Sequence, residues 1–272
     1  INIMSTLIEK PINLSTTHKK DSRFTNLENV EIYNIKGVHP SGNESFQINK
    51  IDPLNFGEIV WVVKPEDLAN IGAFFKTGIF CSTRTIAVSG DSLKSPKYFS
   101  TTIGSSISSL VNHDEINDIN NYRFINGDPL SGSKVEYSKY IGFYNNCLSI
   151  IEEGNNYRML GWLPFMYNSV PSLSKTSFSW LLGGAKKVNT NLNGEERAIV
   201  VTGEMEKYFP MDIYPMQLIK ACMRGDIEKM ESLGIYEVVP EDFGLVDFSC
   251  TSKIEAQEII KSGIEIMLKE VG

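Results

Sequence analysis

The segment His39-Pro40-Ser41-Gly42-Asn43-Glu44 gathers an imidazole, a backbone-permissive glycine, an amide and a carboxylate in one polar loop after a strand-like run. In such a loop His39 can donate a hydrogen bond or exchange a proton near neutral pH, with Gly42, Asn43 and Glu44 beside it lining a ligand pocket. The same residues also suit a rigid turn whose histidine is satisfied locally, and the spacing alone does not choose between the two.

Other reactive groups point to less. The pairs Glu152-Glu153, Glu195-Glu196 and Glu241-Asp242 sit beside Gly, Arg or Pro in turn-like contexts. Acid-base pairs are made by carboxylates that meet in space with split pKa values, so these three are read as solvated. Gly183-Gly184 next to Lys186-Lys187 could cradle an anion, but no strand-turn-helix context surrounds it, and a turn is the simpler reading. The aromatic set Tyr140, Phe143, Tyr144, Tyr157, Trp162, Phe165 and Tyr167 could stack a quinone or other planar ring, or fill a core or an interface, and core is the expectation. Cys81, Cys147, Cys222 and Cys250 form no CxxC pair and have only His18, His39 and His113 to help them, which predicts buried free thiols and no metal site. There is no phosphate loop, dinucleotide fingerprint, zinc-protease motif or nucleophile elbow, and no catalytic residue is assigned.

With 272 residues, 42% hydrophobic and 22% charged, the chain can bury a core without metal or disulfide staples. Its 26 basic against 33 acidic residues give a net charge of −7, which argues against nucleic acid as a partner. No apolar run approaches the roughly 20 residues of a transmembrane helix, so no direct span is expected and any membrane association runs through a partner. The opening run Ile-Asn-Ile-Met-Ser-Thr-Leu-Ile reads as β-type, as if the chain began inside a domain.

Three blocks position these residues. Residues 1–80 read as the last part of an α/β unit, with strands over 1–8, 30–35 and 58–63, then a helix opened by Pro65-Glu66-Asp67 and stopped by Gly78. Residues 81–168 give short strands over 85–89, 98–103, 122–125, 147–152 and 157–163 around a helix over 105–111, the order of a β-grasp domain. Residues 169–272 begin as a connector with a turn over 189–196 and a strand over 198–202. They then become helical from Pro215, from Asp226 to Gly234, and after a Ser252 cap, with Ile259, Ile266 and Met267 at helical spacing.

From His-Pro-Ser-Gly at 39–42 through Arg-Thr-Ile-Ala-Val-Ser-Gly at 84–90 and Thr-Thr-Ile-Gly-Ser-Ser-Ile-Ser-Ser-Leu at 101–110, the chain resembles the A-subunit family of the bacterial sodium-translocating NADH:quinone reductase. The resemblance continues through Leu130-Ser131-Gly132, Tyr140-Ile141-Gly142, Gly161-Trp162, Asn193-Gly194-Glu195-Glu196-Arg197 and the run Phe-Pro-Met-Asp-Ile-Tyr-Pro at 209–215, and fits that family's C-terminal part. More distantly it is similar to the NADH- and flavin-binding subunit of complex I and the C subunit of Rnf complexes.

The resemblance implies an α/β plus α+β chain: the C-terminal part of a Rossmann-like domain, a soluble ligand-binding β-grasp domain and a mixed-to-helical C-terminal domain like a degenerate iron-sulfur domain. It implies a peripheral subunit on the cytoplasmic face of the bacterial inner membrane. Its partners are the other subunits of a six-subunit complex, above all an integral membrane subunit, and the complex reduces ubiquinone to ubiquinol and exports sodium. Ubiquinone is the candidate ligand, with NAD, flavins and iron-sulfur centres expected in other subunits and no cofactor held by this fragment. Where the iron-sulfur relatives carry cysteine ligands, this chain has Lys207-Tyr208-Phe209-Pro210-Met211, and a cluster needs about four sulfur ligands. A histidine-containing segment that follows the family's loop is replaced here by Ser45-Phe46-Gln47-Ile48. The competing readings are a flavin and iron-sulfur NADH-oxidising subunit of complex I or Rnf type, which the missing cysteines oppose, and a purely structural subunit.

Overall fold

The computed structural model realises some of these helix and strand signals and not others. The structure describes residues 1–17, 27–111, 116, 118–154, 170–173, 175, 180–181 and 187–271.

The first block departs most from expectation. In place of a strand over 1–8 there is a single helical turn, α1 (Asn2–Ser5). Ser5 Oγ donates to the Asn2 carbonyl at 2.8 Å and Thr6 Oγ1 to the Ile3 carbonyl at 2.7 Å, local bonds that compete with a strand ladder. A strand not anticipated, β1 (Ile12–Thr16), pairs in parallel with the expected β2 (Val30–Asn34), Ile12 opposite Val30 and Thr16 opposite Asn34. The polar segment after His39 continues into a helix, α2 (Glu44–Ile51), with Glu44 in its first turn and Lys50 in its last, each suited to the helix dipole there. The expected helix is present as α3 (Pro65–Thr77), closed by Gly78 at φ 70° with its N–H on the Phe74 carbonyl at 2.7 Å. Residues 58–63 are not in a strand: their β-branched composition is right, but no ladder partner lies among the described residues.

The second block is a sheet of five strands, in the order β4-β3-β7-β5-β6. These are β3 (Thr83–Ser89), β4 (Lys97–Thr102), β5 (Tyr122–Asn126), β6 (Ser133–Val135) and β7 (Cys147–Glu152). Strands β3 and β7 run parallel and the other pairs antiparallel. Along β3 the side chains of Arg84, Ile86 and Val88 point inward in strict alternation. Ile86 and Val88 pack with Leu148 and Ile150 of β7, Phe124 of β5, and Ile107 and Leu110 of α4 (Ile107–Leu110). Gly90 ends β3 at φ 140°, where a Cβ would lie 1.8 Å from the Ile150 carbonyl oxygen, so only glycine fits this crossing. Four strands follow the sequence reading to within a few residues; β6 carries no apolar alternation and was not foreseen. The strand expected over 157–163 lies outside the described residues.

The third block is helical: α5 (Glu204–Tyr208), α6 (Pro215–Arg224), α7 (Ile227–Ser232), α8 (Gly244–Ser249) and α9 (Ala256–Val271). Met216, Leu218, Ile219, Met230, Phe243, Val246 and Ile260 form a second core, against which Phe46 of α2 also packs. Asp226 caps α7 by accepting from the Lys229 N–H at 3.3 Å. Two expectations fail here. Residues 198–202 form no strand, and Val200 and Val201 are exposed; the segment is tied to Ser252 instead of to a ladder, the Arg197 N–H donating to the Ser252 carbonyl and Ser252 Oγ to the Ala198 carbonyl, while Ile199 packs on the helical core. That use of Ser252 leaves α9 to be capped by Asp247, which accepts from the N–H groups of Ala256 at 2.6 Å and Gln257 at 3.3 Å. Cys222 and Cys250 are buried as expected, whereas Cys81 and Cys147 are only half-buried.

Candidate functional site

An open cleft of about 910 Å³ lies where the three blocks meet. Helix α2 supplies one wall through Asn43, Glu44, Ser45, Ile48 and Asn49, and residues 54, 60, 62 and 64 supply an apolar wall ending in a lysine. The floor is the end of β5 with its following turn, residues 126–128 and 131–133, together with residues 144–147 leading into β7. The helical block closes the far side with residues 236–239 and Glu241.

Each wall is fixed by identifiable bonds. Arg84, 1% exposed, donates through Nη1 to Asn146 Oδ1 at 2.8 Å, pairs with Asp67 of α3, and lies 5.7 Å from the ring centre of Phe143. It thereby locks the 143–146 lip to the start of α3. Lys64 Nζ donates to the Tyr144 carbonyl at 3.0 Å, holding the apolar wall against the same lip. Asp128 folds its own turn, accepting from the Leu130 N–H at 2.8 Å, the Ser131 N–H at 3.1 Å and Ser131 Oγ at 2.6 Å. Burial pushes the Asp128 carboxyl up, but these bonds outweigh it and leave the group below its ordinary value. Leu130 in that turn accepts from Gln257 Nε2 at 2.8 Å, which docks the start of α9 on the sheet block.

On the opposite side Asn49 Nδ2 donates to Glu237 Oε2 at 2.6 Å and Ser45 Oγ donates to Asp242. Asp242, 5% exposed, also accepts from the Val239 N–H at 3.0 Å and from Asn43. Burial raises its pKa, and the bonds from Ser45, Val239 and Asn43 only partly offset this. In the floor, the Asn126 amide donates to the Tyr140 carbonyl at 3.4 Å, while its buried Oδ1 has no partner among the described residues.

The lining carries Glu44, Asp128, Glu237 and Glu241 against Lys64. An anionic ligand would meet net repulsion there, whereas a neutral molecule with an apolar body and carbonyl acceptors would find Leu54, Val60, Val62 and Tyr144 for its body and asparagine amides for its polar end. Among the described residues no three His, Cys, Asp or Glu side chains converge as metal ligands.

The sequence candidates separate. Asn43 and Glu44 line the cleft; His39 is exposed and Gly42 points into open space, and neither lines it. His39 and Gly42 belong to the turns ahead of α2, in which the Ser41 N–H donates to the Val38 carbonyl and the Asn43 N–H to the Pro40 carbonyl. Two acidic pairs are not simply solvated. Asp242 is buried, and Glu153 accepts from Arg123, whose hydrogen bond is the main cause holding its carboxyl below the ordinary value, and from Thr190 at 2.9 Å. Glu195 and Glu196 are exposed as expected. Tyr140, Phe143 and Tyr144 are exposed rather than core, and Tyr144 lines the cleft. Tyr157, Trp162, Phe165, Tyr167, Gly183, Gly184 and Lys186 lie outside the described residues. Ser45 and Asn49 were missed; their four-residue spacing is the signal, legible only once 44–51 is read as a helix.

A family model described as the NqrA second alpha/beta domain matches residues 1–80, and one described as the NQRA C-terminal domain matches residues 85–137. The chain is 32% identical over 272 residues to the Na(+)-translocating NADH-quinone reductase A subunit of Haemophilus influenzae (strain Rd), covering 99% of this chain and 60% of that protein. It is 30% identical over 269 residues to the corresponding A subunit of Neisseria meningitidis serogroup B (strain MC58), covering 98% of this chain and 60% of that protein. The chain thus spans about 60% of the length of the curated relatives it matches.

Proposed function

This chain belongs to the NqrA family, and from that premise we propose that it serves as a peripheral subunit of a sodium-translocating NADH-quinone reductase. It contributes to the reduction of ubiquinone coupled to sodium export by binding quinone and by assembly, not through a redox cofactor of its own. NAD, flavins and iron-sulfur centres are held by other subunits, and at the cytoplasmic face the chain docks on an integral membrane subunit. The observation that carries this reading is similarity to the NqrA relatives over nearly the whole chain. Among the described residues no helix is long and apolar enough to cross a membrane.

The cleft is the proposed quinone site. Its support is chemical: a neutral ring with two carbonyl acceptors suits an apolar wall facing asparagine amides, and the acidic rim disfavours anions. Asn43 and Glu44 belong to that site, with His39 and Gly42 shaping the turns before it.

We also keep the division into 1–80, 81–168 and 169–272 with a Rossmann-like, a β-grasp and a degenerate iron-sulfur-like domain. The β-grasp reading is supported by a sheet whose first and last strands, β3 and β7, run parallel at its centre with a helix between them in the chain. The cluster-free reading is supported by the run Lys207-Tyr208-Phe209-Pro210-Met211, which has no cysteine where a cluster needs about four sulfur ligands.

A hybrid protein tests the proposal, with this chain replacing the matched part of the Haemophilus influenzae NqrA. In a reductase lacking its own NqrA it should assemble and restore NADH-dependent quinone reduction. A hybrid that folds but neither assembles nor restores activity refutes the reading.

A further inference from the structure

The motif Asn193-Gly194-Glu195-Glu196-Arg197 does not line the cleft. It packs instead on the turn between α8 and α9, where the Arg197 N–H donates to the Ser252 carbonyl at 2.9 Å and Ser252 Oγ to the Ala198 carbonyl at 3.1 Å. Two residues of this junction are left-handed, Asn193 at φ 51° and Lys253 at φ 52°. Asparagine adopts that region readily because its short side chain bonds locally, as here, where Nδ2 donates to the Asn191 carbonyl at 3.1 Å. Lysine has no such compensation, so the surrounding packing holds Lys253 there.

The Lys253 side chain lies along the motif. A Cβ added to Gly194 would sit 3.1 Å from Lys253 Cε, 3.4 Å from Cγ and 3.8 Å from Cδ, so the stem crosses a stretch of bare backbone. The residue is half-buried, its N–H donating at 3.4 Å to the carbonyl of Cys250, which is 5% exposed. Glu195, Glu196, Arg197 and Glu255 are the charged groups of the same two segments, yet among the described residues no carboxylate pairs with Lys253 Nζ. Lys134, Lys207, Lys229 and Lys261 each reach one. Burial pushes the Lys253 ammonium below its ordinary value, and the Cys250 thiol acts only weakly the other way. An amine desolvated without a counter-ion is a nucleophile.

We propose that Lys253 is an acylation site, whose ε-amine takes the acyl group of a small activated donor, an acyl phosphate or acyl thioester. The amine nitrogen bonds to the carbonyl carbon, the bond from that carbon to phosphate or thiolate breaks, and the displaced amine proton passes to solvent. The product amide is neutral, so the step removes a charge that the fold half-buries. The reaction needs neither quinone nor another subunit.

Site-resolved acetylation of the folded chain tests this. Acetyl phosphate and acetyl-coenzyme A are supplied in separate reactions near neutral pH and stopped early. The chain is then unfolded, relabelled to completion with heavy acetyl groups and read by peptide mass spectrometry at each lysine. With at least one donor Lys253 should react about 3- to 10-fold faster than the exposed Lys76, and which donor does so identifies the source. In urea the preference should vanish. Gly194→Val fills the track beneath the stem and should bring Lys253 to the rate of Lys76. Equal rates at the two lysines in the folded chain with both donors overturn the proposal. So does a preference that persists in urea, which assigns it to local sequence, or one that Gly194→Val leaves intact.

Discussion

The hydroxyl of Ser45, in the first turn of α2, donates to the carboxylate of Asp242, 197 residues further along the chain. With Asn49 on Glu237 it fastens α2 to the helical block, and Phe46 between them packs into the helical core. One wall of the cleft is therefore set by contacts that form only when distant parts of the chain have folded.

Ser45→Ala removes a donor from a carboxylate that is 5% exposed, and the expected loss of stability is about 2 kcal/mol. Ser45→Thr keeps the hydroxyl and should stay within about 0.5 kcal/mol of the parent. Urea unfolding at neutral pH measures both; equal effects would show that the hydroxyl is not what holds the contact.

Arg84 offers a larger effect. It is buried, pairs with Asp67 and holds Asn146 at the lip of the cleft, so Arg84→Met leaves Asp67 without its cation and Asn146 without a donor. Breaking a buried pair from one side costs about 3–5 kcal/mol; the 29% exposure of the Asp67 side chain places the expectation near the lower bound, about 3 kcal/mol. Pairing the change with Asp67→Leu should recover part of the loss in a double-mutant cycle.

Acid should separate the sheet block from the helical block. The carboxyl of Glu153 is held below its ordinary value, so its contribution is present above the unfolded pKa and is lost as pH falls through the folded one. Asp242 and Asp247 are raised by burial, and their contribution has the opposite sign: fully present below the unfolded pKa and lost as pH rises through the folded value. Below about pH 4, hydrogen exchange corrected for its intrinsic pH dependence should show protection falling in β5 and β7 while α6 and α9 hold. Simultaneous loss in both blocks would contradict the assignment.

Much of the fold is legible in local signals. The Pro-Glu-Asp opening and Gly78 stop of α3 act within a few residues, as do the alternation along β3 and the Asp226 cap of α7, so periodicity and capping find them. Pairing is not local. Residues 58–63 and 198–202 have strand composition but no ladder among the described residues, and β6 acquires its ladder from β5 despite an unremarkable Ser-Lys-Val sequence. Capping also depends on competition: the Ser252 hydroxyl goes to the Ala198 carbonyl, and Asp247 takes the exposed N–H groups of α9 instead. The cleft was half legible. Asn43 and Glu44 are legible because they sit in a polar cluster, whereas Asn126, Asn146 and Glu237 enter through folding of distant segments. Adjacent acids such as Glu241 and Asp242 divide between rim and interior because a 3₁₀ turn over Pro240–Phe243 points them apart.

The most direct measurement is a titration of the chain with ubiquinone-1, a short-chain soluble quinone, followed residue by residue through backbone amide shifts. Saturable shifts confined to residues 43–49, 54–64, 126–133, 144–147 and 236–241 are the predicted result, and they should weaken in Asn126→Leu, which removes a floor amide without adding charge. Saturable shifts elsewhere, or none up to the solubility limit of the quinone, would contradict the assignment of the cleft.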